Sequence, residues 1–208
     1  DIFGNRIAEK THYEAAGTSD ANCYSVWERG QRLLEFWQDD AAHPEVRRLR
    51  LRNLYAEGVD QLLAAEKISY SGAAPEAEFL VWALTDQQGT VHDLCERLDD
   101  GRIWFQHIKY TTFGAPTPTA GLASLVRARY AGREWDWDTQ LYFNRARYYE
   151  PQSGRWMSED PLRSEANLYR YCGNSPTHYT DPSGMFYGWI AVGGGAAVGA
   201  IGYLGYAA

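Results

Sequence analysis

The chain has 208 residues, long enough for one sizeable domain or part of a larger one, with a net charge of −7 and a pI near 5.2. That acidic balance excludes the basic surface that nucleic-acid phosphates require. Three distant cysteines (Cys23, Cys95, Cys172) form neither a disulfide framework nor a zinc pattern, and the five histidines show no i, i+4 pair, so no metal and no cofactor is assigned.

The chain opens on Asp1 with neither an initiator Met nor a signal peptide, and is expected to be a fragment or processed piece. Fifteen Tyr, eight Trp and twenty Gly beside only two Met predict β-structure with many tight turns. In chain order, "ERGQRLLEF" carries the first clear turn glycine, Gly30. "RRLRLRNLYAEGVDQLLAAEK" alternates Arg48, Arg50 and Arg52 with Leu49 and Leu51, a period of two with one wet and one dry face, before "AEG" turns the chain back. "EFLVWALTDQQGTVHDLCERL" repeats the form around Asp86–Gly89, and "KYTTFGAPT" carries the next turn glycine. Gly4, Gly30, Gly58, Gly89 and Gly114 follow one another at steps of 26, 28, 31 and 25 residues. Such a step marks either a hairpin repeat or an antiparallel meander; in both cases the fold is mainly β. Residues 115–129 read as a Pro/Thr-rich loop with a short helical turn.

From 131 to 185 the sequence is the most informative: "GREWD", "DTQLYFNRARYYEPQSGRWMSEDP", "NLYRYCGNSP" and the closing "DPSGM" stand in order. This run resembles the RHS-repeat-associated core domain of the RHS/YD-repeat family. Upstream, "IFGNR", "LYAEGVDQLL", "VWALTDQQGTVHDL" and "YTTFGAP" are similar to the YD-type repeats that precede that core. The resemblance implies three parts: β-hairpin repeats over 1–130, the core domain over 131–185, and over 186–208 the start of a variable C-terminal segment. It further implies that the hairpins wind into a shell, that the segment beyond the boundary is often a toxin enclosed by it, and that the chain is cut after the residue following Asp-Pro-x-Gly. Here that bond is Met185–Phe186.

Two Asp-Pro dipeptides, Asp160–Pro161 and Asp181–Pro182, stand 21 residues apart. By the resemblance they form an aspartic-protease pair acting once on its own chain. Two carboxylates sharing one proton can divide the work: one takes a proton from water, the other polarises the Met185 carbonyl and serves the leaving amide of Phe186. On turn chemistry alone both dipeptides read as structural, since Asp at i, Pro at i+1 and Gly at i+3 make a good turn. The first turn departs from the pattern: Arg163 occupies the glycine's place, which predicts a different local turn at Asp160. Arg155 is a candidate modulator of the pair or a partner of Glu159. Ser158 lacks a His–Asp arrangement and is rejected as a nucleophile. Cys172 reads as a buried thiol. Alternation through "LYFNRARYYEPQSGRW" places Arg145, Arg147 and Tyr149 on one face and Tyr142, Asn144, Ala146 and Tyr148 on the other, a stripe better suited to hairpin packing than to ligand binding.

From Phe186 the chain runs 23 residues without a charge. That length can cross a bilayer. Gly195 and Gly199 stand at a small-xxx-small spacing, and Tyr187, Trp189, Tyr203 and Tyr206 lie towards the ends like an aromatic belt. The tail is therefore expected to be an apolar helix, read as a membrane-inserting span, a cargo leader or an apolar linker. Two functional readings follow. In the first, the chain is the C-terminal part of a polymorphic-toxin shell, a secreted effector whose partners are its own C-terminal segment and a secretion machinery. In the second, it is an uncleaved cell-envelope YD-repeat protein for adhesion or interaction, anchored by 186–208.

Overall fold

A computed structural model describes residues 8–11, 21–28, 30–38, 46–57, 60–71, 74–117, 121–185 and 187–189. The chain divides into two compact units. One holds Asp1–Leu54 and Ala64–Val81, the other Tyr55–Leu63 and Trp82–Ala208.

The first unit is an antiparallel array in chain order. It contains β1 (Ala8–Thr11), β2 (Ala21–Glu28), β3 (Gln31–Gln38), most of β4 (Arg47–Tyr55) and of β5 (Leu62–Ser71), and the start of β6 (Ala74–Thr85). Gly30, at φ 75°, closes the β2–β3 turn in a conformation that only glycine adopts cheaply. Two bulges, at Val26/Trp27 and Glu35/Phe36, bend the array. Between them Arg32 and Glu35 form a buried ion pair at 2.8 Å. Trp37 Nε1 donates to Glu35 at 2.6 Å, and the Arg32 guanidinium lies over Trp27. The alternation in β4 is present, but its arginine face is not simply wet. Arg48 and Arg50 lie over the Tyr70 ring at 5.2 and 5.9 Å, so their stems and charges cover an aromatic.

In the second unit the end of β6 pairs with β7 (Val91–Arg97), and β7 with β8 (Ile103–His107). The turn expected at Asp86–Gly89 forms as an Asx-type turn: Asp86 Oδ1 accepts from the amides of Gln88 and Thr90 at 2.8 and 2.9 Å. The 115–129 loop carries the expected helical turn as a 3₁₀ helix, Gly121–Leu125. A four-stranded sheet follows, ordered β12–β11–β10–β9, from β9 (Glu134–Asp136), β10 (Leu141–Asn144), β11 (Arg147–Glu150) and β12 (Arg155–Trp156).

Its inner face is an aromatic core. Tyr149 stacks on Tyr171 at 3.9 Å between centroids, and Trp135, Tyr142 and Trp156 surround them, all buried. Buried rings of this size dominate the stability of a small domain, and their hydroxyls must find acceptors. They do: Tyr142 donates to the Gly114 carbonyl at 2.9 Å and Tyr149 to that of Phe113 at 2.7 Å. The tyrosine-rich stripe therefore packs, as expected, but its faces are corrected. A tight turn at Arg145–Ala146 joins β10 to β11, with Arg145 at φ 57°. That turn resets the alternation and pairs Tyr142 with Tyr149 on one face. Cys172 lies buried in this core, where burial pushes its thiol far up, so it is inert.

The expected apolar helical tail is corrected where it is described. Gly188–Trp189 is strand β14, antiparallel to β13 (Tyr179–Thr180). Residues 190–208 lie outside the described residues. Among the described residues, no helix is long and apolar enough to cross a membrane.

Candidate functional site: two Asp-Pro turns on one arginine

The turn after β13, Asp181–Gly184, is gripped by the turn that joins β10 to β11. Asn144 Nδ2 donates to the Asp181 carbonyl at 2.9 Å. Arg133 (3.0 Å) and Arg145 both donate to the Pro182 carbonyl. The Ala146 amide donates to the Ser183 carbonyl at 3.1 Å, and Arg147 Nε donates to the Gly184 carbonyl. All four carbonyls of the Asp-Pro-Ser-Gly turn are thus satisfied from one neighbouring hairpin and its flanking arginine. Gly184 sits at φ 70° against that hairpin; a Cβ there would lie 2.3 Å from the Asn144 carbonyl oxygen and 2.9 Å from the Arg147 nitrogen. Arg133 and Arg145 are held in turn by the buried Asp60, through an ion pair from Arg133 and another at 2.9 Å from Arg145.

The two carboxylates predicted to act together meet on a single guanidinium. Arg147, 5% exposed, approaches Asp181 Oδ2 with Nη2 at 3.4 Å and Asp160 Oδ1 with Nη1 at 3.9 Å. Its Cζ also lies 4.1 Å from the centre of the Trp156 ring, a cation–π contact that helps hold the guanidinium. Asp160 lines a cleft of about 260 Å³ that Met185 lines as well, with Arg147, Ser164, Glu165 and Tyr187.

The surroundings drive the two acids apart. Burial raises Asp160, but the Ser164 hydroxyl and amide, the Leu162 amide and Arg147 outweigh it and hold this carboxyl below its ordinary value. Burial dominates at Asp181 and pushes it up to about 6. It does so against Ser183, Arg147 and the amides of Gly184 and Met185, all of which favour the anion. The two environments thus pull the acids in opposite directions, Asp160 towards the anion and Asp181 towards the protonated form.

The predicted residues fare unequally. Asp160, Asp181 and Met185 come together here; Phe186 lies outside the described residues. Arg155 is exposed on β12, its guanidinium 6.0 Å over Tyr169, and it is not the cation between the carboxylates. Glu159 pairs with Arg163 at 3.3 Å rather than with Arg155. Arg163 adopts φ 48°, the conformation its glycine counterpart would take, and the Asp160 turn closes around it, with the Arg163 amide 3.1 Å from the Asp160 carbonyl. Arg147 is the residue that sequence reasoning missed. The mirrored aromatics of "YFNRARYY", which mark a hairpin centred on Arg145–Ala146, were the signal for it.

The class defined by these features is an antiparallel hairpin array that ends in an aromatic-cored domain built around a terminal Asp-Pro turn. No family model matches the chain. Among curated proteins it is 35% identical over 158 residues to the toxin protein Tse5 of Pseudomonas aeruginosa, covering 74% of this chain and 11% of that protein. It is 49% identical over 59 residues to the toxin subunit YenC2 of Yersinia entomophaga, covering 27% of this chain and 6% of that one. Over 60 residues it is 43% identical to salivary gland surface protein 1 of Aedes aegypti, covering 29% of this chain and 2% of the relative. Among solved structures, the crystal structure of TcdB2-TccC3-Cdc42 matches 86% of this chain and 10% of its own, at a TM-score of 0.53 and 22% identity, a likeness of fold. The chain belongs to the RHS/YD-repeat family and carries its RHS-repeat-associated core. It spans about a tenth or less of the length of these relatives.

Proposed function

We propose that this chain is the C-terminal part of an RHS shell that encloses a downstream segment and cuts it free once, at Met185–Phe186. The observation that carries the reading is the convergence of Asp160 and Asp181 on Arg147 beside Met185. In this mechanism the Asp160 carboxylate takes a proton from water as its oxygen bonds to the Met185 carbonyl carbon. The Asp181 carboxyl gives its proton to the Phe186 nitrogen as the C–N bond breaks. Arg147 steadies the negative charge the two acids share. The reaction turns over once, because the substrate is the enzyme's own chain. We assign 1–130 to hairpin repeats, 131–185 to the core and 186–208 to the start of cargo. Relatives named as toxins support a secreted toxin-delivery role, with the downstream segment as partner.

The relative named as a surface protein favours a second reading, an uncleaved envelope protein for adhesion in which both Asp-Pro turns are structural. One experiment separates them: the intact mass of the purified protein under denaturing conditions, beside an Asp160→Asn, Asp181→Asn double variant. A break after Met185 that the variant abolishes is the expected result. A single uncut mass for both proteins overturns the cleavage reading.

A further inference from the structure

Past the boundary, Tyr187 packs against the aromatic core and Gly188–Trp189 form strand β14. β14 pairs with β13, Tyr179 opposite Trp189 and Thr180 opposite Gly188. The Tyr187 ring meets Tyr179 edge-on at 5.1 Å. Its hydroxyl donates to Glu165 Oε1 at 2.6 Å, a short charge-assisted bond. The other Glu165 oxygen, Oε2, accepts from both Arg170 Nη2 at 2.7 Å and Nε at 2.8 Å, which leaves Oε1 for Tyr187. Gly173 leaves room for the hydroxyl: a Cβ there would lie 3.1 Å from it. Glu165, Arg170 and Tyr187 line the same cleft as Asp160 and Met185, so these contacts hold Tyr187 beside the carboxylate site.

We propose that Glu165, Arg170, Gly173 and Tyr179 form a socket for the aromatic hydroxyl two residues past the boundary, and that this socket keeps the downstream segment docked after the bond is broken. The inference deepens the cleavage reading and rests on it for the word "after"; the socket itself does not. It assigns a specificity to the segment's first residues: a ring that fits against Tyr179 and a hydroxyl that donates to a fixed carboxylate. The ordinary partner for such a hydroxyl is water, so a half-buried carboxylate already oriented by an arginine is a built acceptor rather than a chance contact. The same bond holds the Tyr187 hydroxyl's proton, and its pKa is raised to about 12.

The test uses the full chain as wild type, Tyr187→Phe and Glu165→Gln. Denaturing mass reports whether the bond is cut, and size-exclusion chromatography in native buffer reports whether the downstream piece travels with the core. In cut protein the wild-type piece co-elutes, and each variant releases it about ten-fold faster, the usual scale for losing a hydrogen bond to a charged acceptor. If the chain is uncut, the cleavage reading fails separately, and hydrogen exchange at Gly188 and Trp189 reads the socket instead: faster in both variants, unchanged in an Arg155→Ala control. Release and exchange rates equal to wild type in both variants overturn the proposal.

Discussion

The two Asp-Pro turns share a dipeptide and differ in almost everything that follows from their surroundings. At Asp160 the carboxylate lines a cleft and collects two amides and a hydroxyl from its own turn, so it is held as an anion. Asp181 is 1% exposed inside a turn whose four carbonyls are gripped by another hairpin, and burial raises its pKa to about 6. The fourth residue of each turn takes a positive φ, yet one is Arg163 in solvent and the other is Gly184 against backbone. A motif fixes a turn; the packing around the turn fixes which protonation state the motif carries.

Removing the shared cation breaks the comparison most severely. Arg147→Met leaves Asp181 buried without its counter-charge, a change that destabilises by about 3–5 kcal/mol when a buried pair loses one partner. Asp181 then titrates above 6, while Asp160, which keeps its turn donors, moves less. NMR titration of the two carboxyls measures both, and denaturant unfolding measures the loss. Gly184→Ala follows: the left-handed backbone and the clash with Asn144 and Arg147 together are expected to cost about 3 kcal/mol and to stop cleavage.

Changing pH sharpens the comparison without any substitution. Asp181 binds its proton more tightly folded than unfolded, so its contribution to stability falls as pH rises from the ordinary carboxylate value to about 6, by on the order of 3 kcal/mol. Asp160 acts in the opposite sense. Its folded pKa is depressed, so the stability it adds is present above the ordinary value and lost as pH falls through the folded one. Asp181→Asn should flatten the first slope and Asp160→Asn the second, read as denaturation midpoints from pH 3 to 8. In the proposed mechanism cleavage needs Asp181 protonated, so its rate should fall about ten-fold per pH unit above 6 in wild type.

How far the sequence discloses this site depends on distance along the chain. The hairpins around Gly30 and Gly89 are local: alternation and a turn residue suffice, and the structure has them. Asp160 and Asp181 announce themselves because proline and glycine punctuate both turns. Arg147 does not, since it is one of several arginines in its stretch. Only the turn at Arg145–Ala146, which breaks the alternation, aims it at the two acids. Asp60 is less legible still. Eighty-five residues separate it from Arg145, and nothing in "EGVDQ" distinguishes an acid that braces a distant turn from a solvated one. Likewise the uncharged run from Phe186 reads as helix by composition, whereas Gly188–Trp189 form a strand because they pair with β13 and Tyr187 is held by Glu165.

The smallest effect lies at the position where the first turn departs from the second. Arg163 holds φ 48°, a conformation that disfavours any residue with a Cβ by roughly 1 kcal/mol, and its side chain returns only an exposed pair with Glu159. Arg163→Gly removes that strain but adds glycine's freedom to the unfolded chain, which offsets part of the gain. The expected net change is therefore a stabilisation of at most about 1 kcal/mol, measured as a higher denaturation midpoint with an unchanged slope. Cleavage should stay at the wild-type rate, because Asp160 is held by Leu162 and Ser164 and not by the residue between them. A clear loss of stability or of cleavage would mean that the arginine itself supports the Asp160 turn, and the two turns would then differ in design and not only in surroundings.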